Sequence, residues 1–133
     1  RPAALSAAFV TSAPSAPAND GALVTKAALR AAGRLGLSNR SLSRIIGLSE
    51  ASVSRMGGGT FVLASGDKSF ELALMFVRLF RSLDAIVGGD DAAARGWMVS
   101  DNAALGGAPV DLIQSLTGLV NVVGYLDARR ALV

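Results

Sequence analysis

The sequence predicts an all-α fold: a helix-turn-helix N-terminal domain followed by a small C-terminal helical domain. Three observations carry this. Apolar residues recur at helical spacing in segment after segment. Glycine and proline fall mainly between those segments, where the chain must turn. And Asn39–Met56, NRSLSRIIGLSEASVSRM, reads as two short helices about a tight corner, the motif that docks a helix in the DNA major groove.

Taken in order, Arg1–Asp20 is rich in Ala, Ser and Pro with no charge between its ends, which predicts a flexible tail. A processed secretory leader over Ala3–Val10 is the lesser alternative. A first helix is expected from Ala22 to Leu35, with Leu23, Ala27, Ala28, Ala31 and Leu35 inward and Gly36 ending it. In the corner motif, Leu42, Ile45 and Ile46 make one apolar face. Gly47 supplies a positive φ, Leu48 plugs the corner, Ser49 caps the second helix, and Val53 and Met56 bury its inner side. Gly57–Gly59 is a turn; no Lys-Ser or Lys-Thr follows, so it is no phosphate-binding loop. Thr60–Ala64 is extended or a packed connector. Asp67 is expected to cap the longest helix, running to about Val87 and apolar on most sides, which points to a central core helix that also serves a homodimer interface. Gly88–Asp91 breaks the chain before a short helix over Asp91–Met98. A glycine-bearing loop leads to Pro109, which opens a helix over Val110–Leu116. Thr117 and Gly118 interrupt it, and Leu119–Ala131 forms the last helix. The expected organisation is a tail at 1–21, a helix-turn-helix and dimerisation domain at 22–87, and a second domain at 88–133.

Composition narrows the function. The chain has 133 residues, 51% of them apolar, and neither cysteine nor histidine. Disulfides, thiolate chemistry, zinc sites built on Cys or His and His-dependent triads are thereby excluded. The only clustered acids, Asp90-Asp91, Asp101 and Asp111, read as helix caps rather than a catalytic pair, so the expectation is a binding protein without catalytic residues, metal or cofactor. The apolar run Phe70–Phe80 contains Glu71 and Arg78 and is too short to span a bilayer; a cytoplasmic protein is expected. The net charge of +3 conceals an asymmetry: residues 1–60 carry +5 and residues 61–133 carry −2. A basic N-terminal part is what a phosphate-facing surface requires. Arg40, Arg44 and Arg55 are assigned to phosphate contacts, and Ser49, Glu50, Ala51, Ser52 and Ser54 face the bases. The competing readings are a plain helical corner and a merely solvated basic face.

The segment Trp97–Leu126, WMVSDNAALGGAPVDLIQSLTGLVNVVGYL, resembles the toxin-binding domain of Xre/ParS-type antitoxins. The correspondence runs through Trp97, Asn102, Leu105, Gly106, Gly107, Pro109, Leu112, Gly118, Val122 and Leu126. Only one residue, Ala108, separates Gly107 from the proline, where that pattern often allows two. The family also carries an N-terminal helix-turn-helix, and with it the resemblance spans residues 22–131. It implies an antitoxin of a type II toxin–antitoxin pair. The partner it implies is a RES-domain toxin that consumes NAD, and the antitoxin would block the toxin's active site and bind its own promoter as a homodimer. The toxin-facing residues it implies are Asn102, Leu105, Gly106, Gly107, Leu126, Arg129, Arg130, Leu132 and Val133. Whether the C-terminus or the last helix fills the cleft is left open, and Arg129 and Arg130 also fit a role complementing the helix dipole. Trp97 reads as a core anchor before an interface hot spot. The alternative function is a stand-alone helix-turn-helix repressor with a ligand- or partner-sensing C-terminal lobe.

Overall fold

The computed structural model describes residues 16–132, with side chains from Asp20 onward. They form seven helices: α1 (Ala16–Leu35), α2 (Asn39–Ile46), α3 (Glu50–Gly57), α4 (Lys68–Ile86), α5 (Asp91–Val99), α6 (Pro109–Leu112) and α7 (Leu116–Arg130). No strand forms among the described residues; the only sheet-like pairing is an isolated bridge between Asn102 and Gly107. None of these helices is long and apolar enough to cross a membrane.

Helix α4 organises the core. It packs against α1, α2 and α7, and buries Phe70, Ala73, Phe76, Leu79 and Leu83. One apolar cluster runs from Leu42, Ile46, Val53 and Met56 of the corner motif, through α4, to Met98, Ile113, Leu119, Val122 and Leu126. The helix-turn-helix and the C-terminal helices therefore share a core.

The corner motif folds as its residues dictate. Leu42, Ile45, Ile46, Val53 and Met56 are buried. Gly47 adopts φ +72° and its N–H bonds the Ser43 carbonyl, closing α2 with the left-handed residue that only glycine takes cheaply. Ser38 and Ser49 each cap the helix that follows, their Oγ atoms accepting from the N–H groups of Ser41 and Ser52 at 3.1 Å.

Several elements differ from the sequence reading. Helix α1 starts at Ala16, six residues early, and with 20 residues it is longer than α4 with 19. The end of the expected tail is thus helical, and its residues 1–15 lie outside the described residues. Gly21, inside α1, is where the Leu63 carbonyl approaches the helix so closely that no Cβ fits. Beside it, the buried Thr25 hydroxyl donates to the Gly21 carbonyl at 2.7 Å and accepts the Leu63 N–H at 2.9 Å. This ties the 60–64 connector to α1. Leu23, expected inward, is 63% exposed, and Ala32 takes a core position in its place. Asp67 occupies the cap position of α4, but its carboxylate makes no capping bond. Thr117 and Gly118 do not interrupt a helix: α7 already starts at Leu116, with Ser115 Oγ accepting the Gly118 N–H at 3.1 Å.

An arginine clamp joins the ends of α1, α4 and α5. Arg34 donates to Asp91 at 2.9 Å and to Asp84 at 2.8 Å, with its guanidinium 4.8 Å from the centre of the Phe80 ring. Arg95 closes the C-terminus of α1 by donating to the carbonyls of Arg34 and Gly33. The hydrogen bond from Arg34 holds the Asp91 carboxyl below the usual carboxylate range. Because that group is more acidic folded than unfolded, its stabilisation is complete above the ordinary carboxylate pKa and is lost as pH falls below it. Trp97, the single tryptophan, lies on the same helix. Its fluorescence is expected to change on acidification below about pH 4, and Arg34→Gln removes the part of that titration belonging to Asp91. An identical acid profile in the variant would mean that the clamp does not hold α5.

Candidate functional site

Two surfaces bear the residues singled out by sequence. The first is the outer side of the corner motif. Arg40 and Arg44, one turn apart on α2, are exposed, as are Ser49, Glu50, Ala51, Ser54 and Arg55; Ser52 is half-buried. Glu50 sits in the first turn of α3, where negative charge suits the helix dipole. The serines are partly committed locally. Ser49 Oγ donates to Ser52 Oγ at 3.0 Å, and Arg55 Nη2 donates to the same Ser52 oxygen at 3.0 Å. Arg55 also lies over Phe61, 5.8 Å from the ring centre. Its guanidinium is therefore held along α3 rather than splayed at random. The exposed side chains of these eight residues comprise three cations and one anion, a basic surface laid over short polar residues.

The second surface is the C-terminal unit, where geometry sorts the residues differently from the pattern. Asn102 is spent on folding its own loop: its Oδ1 accepts the N–H groups of Ala104 and Leu105, and its carbonyl accepts from Leu105 and Gly106. Gly106 holds φ +85°, and Gly107 packs on Leu112, where a Cβ would stand 3.4 Å from a methyl. Pro109, buried, starts α6, and Leu105 is half-buried against the core. The Asn-x-x-Leu-Gly-Gly-x-Pro signature is thus largely a recipe for this turn. Leu126 is 1% exposed and belongs to the core, so it makes no surface contact; helical spacing with Leu119, Val122 and Val123 turns it inward.

What the unit does present is its end. Arg129 stacks on Tyr125 at 4.7 Å, and Tyr125 stacks on Trp97 at 6.3 Å. Trp97 is half-buried and packed against the core, as an anchor would be. Arg130 is exposed and reaches the Ser82 hydroxyl at 3.5 Å, a weak contact it can leave. Leu132 is 86% exposed. Val133 lies outside the described residues. The sequence reading missed Leu116 and Val120, two exposed apolar residues one turn apart on α7, and Val99 at the end of α5. Spacing exposes only one of the α7 pair: Val120 falls off the core stripe that Leu119, Val122, Val123 and Leu126 define, whereas Leu116, three residues before Leu119 and seven before Val123, lies at its edge and is left open because it starts the helix.

Comparison with known families completes the picture. Residues 15–78 match the antitoxin Xre-like helix-turn-helix domain, and residues 82–131 match the antitoxin Xre/MbcA/ParS C-terminal toxin-binding domain. The chain is an Xre/ParS-type antitoxin. No curated protein is similar enough to it to count as a match. The boundary between the two matched domains falls inside α4, the helix whose buried face serves both. Both domains are those of a regulatory protein that works by binding, one half suited to DNA and the other to a toxin.

Proposed function

We propose that this antitoxin neutralises a RES-type, NAD-consuming toxin by placing its C-terminal end in the toxin's active-site cleft. In the same reading it binds its own promoter as a homodimer in the cytoplasm, through α3 and the arginines of α2, as an autoregulator. The observation that carries the reading is the end of α7. Beyond the ordered Trp97–Tyr125–Arg129 stack, Arg130 is exposed and held only by its weak contact to Ser82, and Leu132 projects into solvent, from a domain of the toxin-binding family. A cleft shaped for a dinucleotide is filled sterically by such an end, with no chemistry required of the antitoxin. Gly106, on the rim of the loop, and the exposed Leu116 and Val120 supply flanking contact area.

The test is co-expression with the neighbouring reading frame in a bacterial host, with growth and cellular NAD as readouts. The neighbour alone is expected to stop growth and deplete NAD, and the full chain to restore both. A chain ending at Ala128 is expected to lose protection. Full protection by that truncated chain overturns the blocking role of the terminus, and an innocuous neighbour overturns the toxin reading itself.

DNA binding is separable. Arg55→Ala is expected to weaken binding to the upstream promoter uniformly and to lower the salt dependence by about one unit per subunit. Toxin neutralisation is expected to stay intact. Measured by fluorescence anisotropy at several salt concentrations, an unchanged slope would remove Arg55 from the phosphate contacts.

A further inference from the structure

A groove of about 450 Å³ runs between α1 and α4 on the face away from the core, floored by Leu23, Leu74 and Val77 and rimmed by Arg78, Arg81 and Arg130. Leu23 is 63% and Leu74 40% exposed, large apolar side chains left open on neighbouring helices. The two helices run in the same direction. Leu23 and Leu74 share the groove, and further along both chains Arg34 binds Asp84.

The exposed stripes of the two helices follow one plan. On α1 the order is Asp20, Leu23, Ala27, Arg30; on α4 it is Glu71, Leu74, Arg78, Arg81. In each, an acid is followed three residues later by a leucine and ten residues later by an arginine. These steps of three and four residues keep all four positions on one side of the helix. Asp67 adds a further acid one turn before Glu71, and Arg130 a further cation at the other end. The face is therefore acidic at one end, apolar in the middle and basic at the other. Ten residues of helix span about 15 Å, beyond the roughly 8 Å over which charges act in physiological salt. The acid and the arginine of one stripe therefore do not neutralise each other. Of the arginines, Arg78 is engaged with Asp127 at 2.6 Å and Arg34 with Asp84 and Asp91. Arg30 and Arg81 make no ion pair among the described residues.

We infer that this face is the homodimer interface, occupied by a second copy of the chain laid antiparallel across it. The inference rests on the homodimer reading above and names its surface. A two-fold axis crossing both stripes near their midpoints, at the level of residues 25 and 76 along the helices, sets α1 on α1 and α4 on α4. Asp20 then meets the partner's Arg30 and Glu71 the partner's Arg81, each pair occurring twice by symmetry. The same axis lays Leu23 over the partner's Ala27, and Leu74 along the apolar stem of the partner's Arg78. A parallel arrangement puts acid on acid and arginine on arginine, so charge selects the antiparallel one. A partner of single sign leaves one end of the face unmatched.

The test is sedimentation equilibrium of the full chain as wild type, Glu71→Arg, Arg81→Glu and the double variant carrying both, with far-UV circular dichroism confirming the fold of each. The wild type is expected to dimerise. Each single reversal creates two like-charge contacts and is expected to raise the dissociation constant on the order of 100-fold. The double variant exchanges the partners and is expected to recover to within about tenfold of wild type. Leu23→Ser, at an exposed site that folding does not need, is expected to weaken the dimer independently. A dimer indifferent to the single reversals and to Leu23→Ser uses another face and overturns the inference. A wild type that stays monomeric overturns the homodimer reading itself.

Discussion

Phe76→Ala is expected to abolish both binding activities at once. Phe76 sits fully buried on α4, within the single core that holds the corner motif on one side and α7 on the other. Removing a buried phenyl ring costs about 3–5 kcal/mol, the lost transfer energy plus the cavity left behind. For a chain of this length that lowers the melting temperature by about 10–15 °C. The loss is expected to be cooperative: far-UV circular dichroism and Trp97 fluorescence should trace one transition, although Phe76 lies in the segment matched by the helix-turn-helix family and Trp97 in the segment matched by the toxin-binding family. Two separated transitions, with only the first displaced, would show that the C-terminal helices hold their own core.

Gly118→Ala is expected to destabilise the chain, while Gly124→Ala, six residues along the same helix, is expected to stabilise it. In a helix interior, alanine is favoured over glycine by about 1 kcal/mol. At Gly124, exposed and with nothing near a new Cβ, that preference acts alone. At Gly118 the new methyl drives into the Leu112 backbone carbonyl, which cannot swing away as a side chain would. Overpacking of this kind costs about 3 kcal/mol. The clash outweighs the propensity by about 2 kcal/mol, a fall of about 7 °C in melting temperature. Thermal unfolding of the two variants side by side provides the check. A rise at both positions would mean that α6 and α7 separate freely enough to admit a methyl group. In that case the turn carrying the Gly-Gly-x-Pro signature is not locked to α7.

The corner motif was legible residue by residue, because everything that makes it is local. The serine cap at 49, the positive-φ glycine at 47 and the apolar face of Leu42, Ile45 and Ile46 each act within a few residues of chain, as does the Ser38 cap that the structure adds. The C-terminal turn was legible as a pattern, but the pattern does not separate the residues that fold the turn from those that face a partner. Asn102, Gly107 and Leu126 are needed by the fold, and a resemblance retains folding residues and binding residues alike. Gly118 was misread for a different reason. In one dimension a glycine marks a break; here Gly118 lies inside a helix because the Leu112 carbonyl comes too close for a side chain, as the Leu63 carbonyl does at Gly21.

The sequence by itself determined the all-α class, the helix-turn-helix and the family, since capping, helical periodicity and turn chemistry are short-range and leave their mark on neighbouring residues. Only the tertiary structure decided which faces those helices keep. Leu23 and Leu126 occupy equally apolar helical positions, yet one is left in solvent beside Leu74 and the other is sealed against α4. Burial depends on which helix packs against which, a long-range outcome that no local spacing encodes.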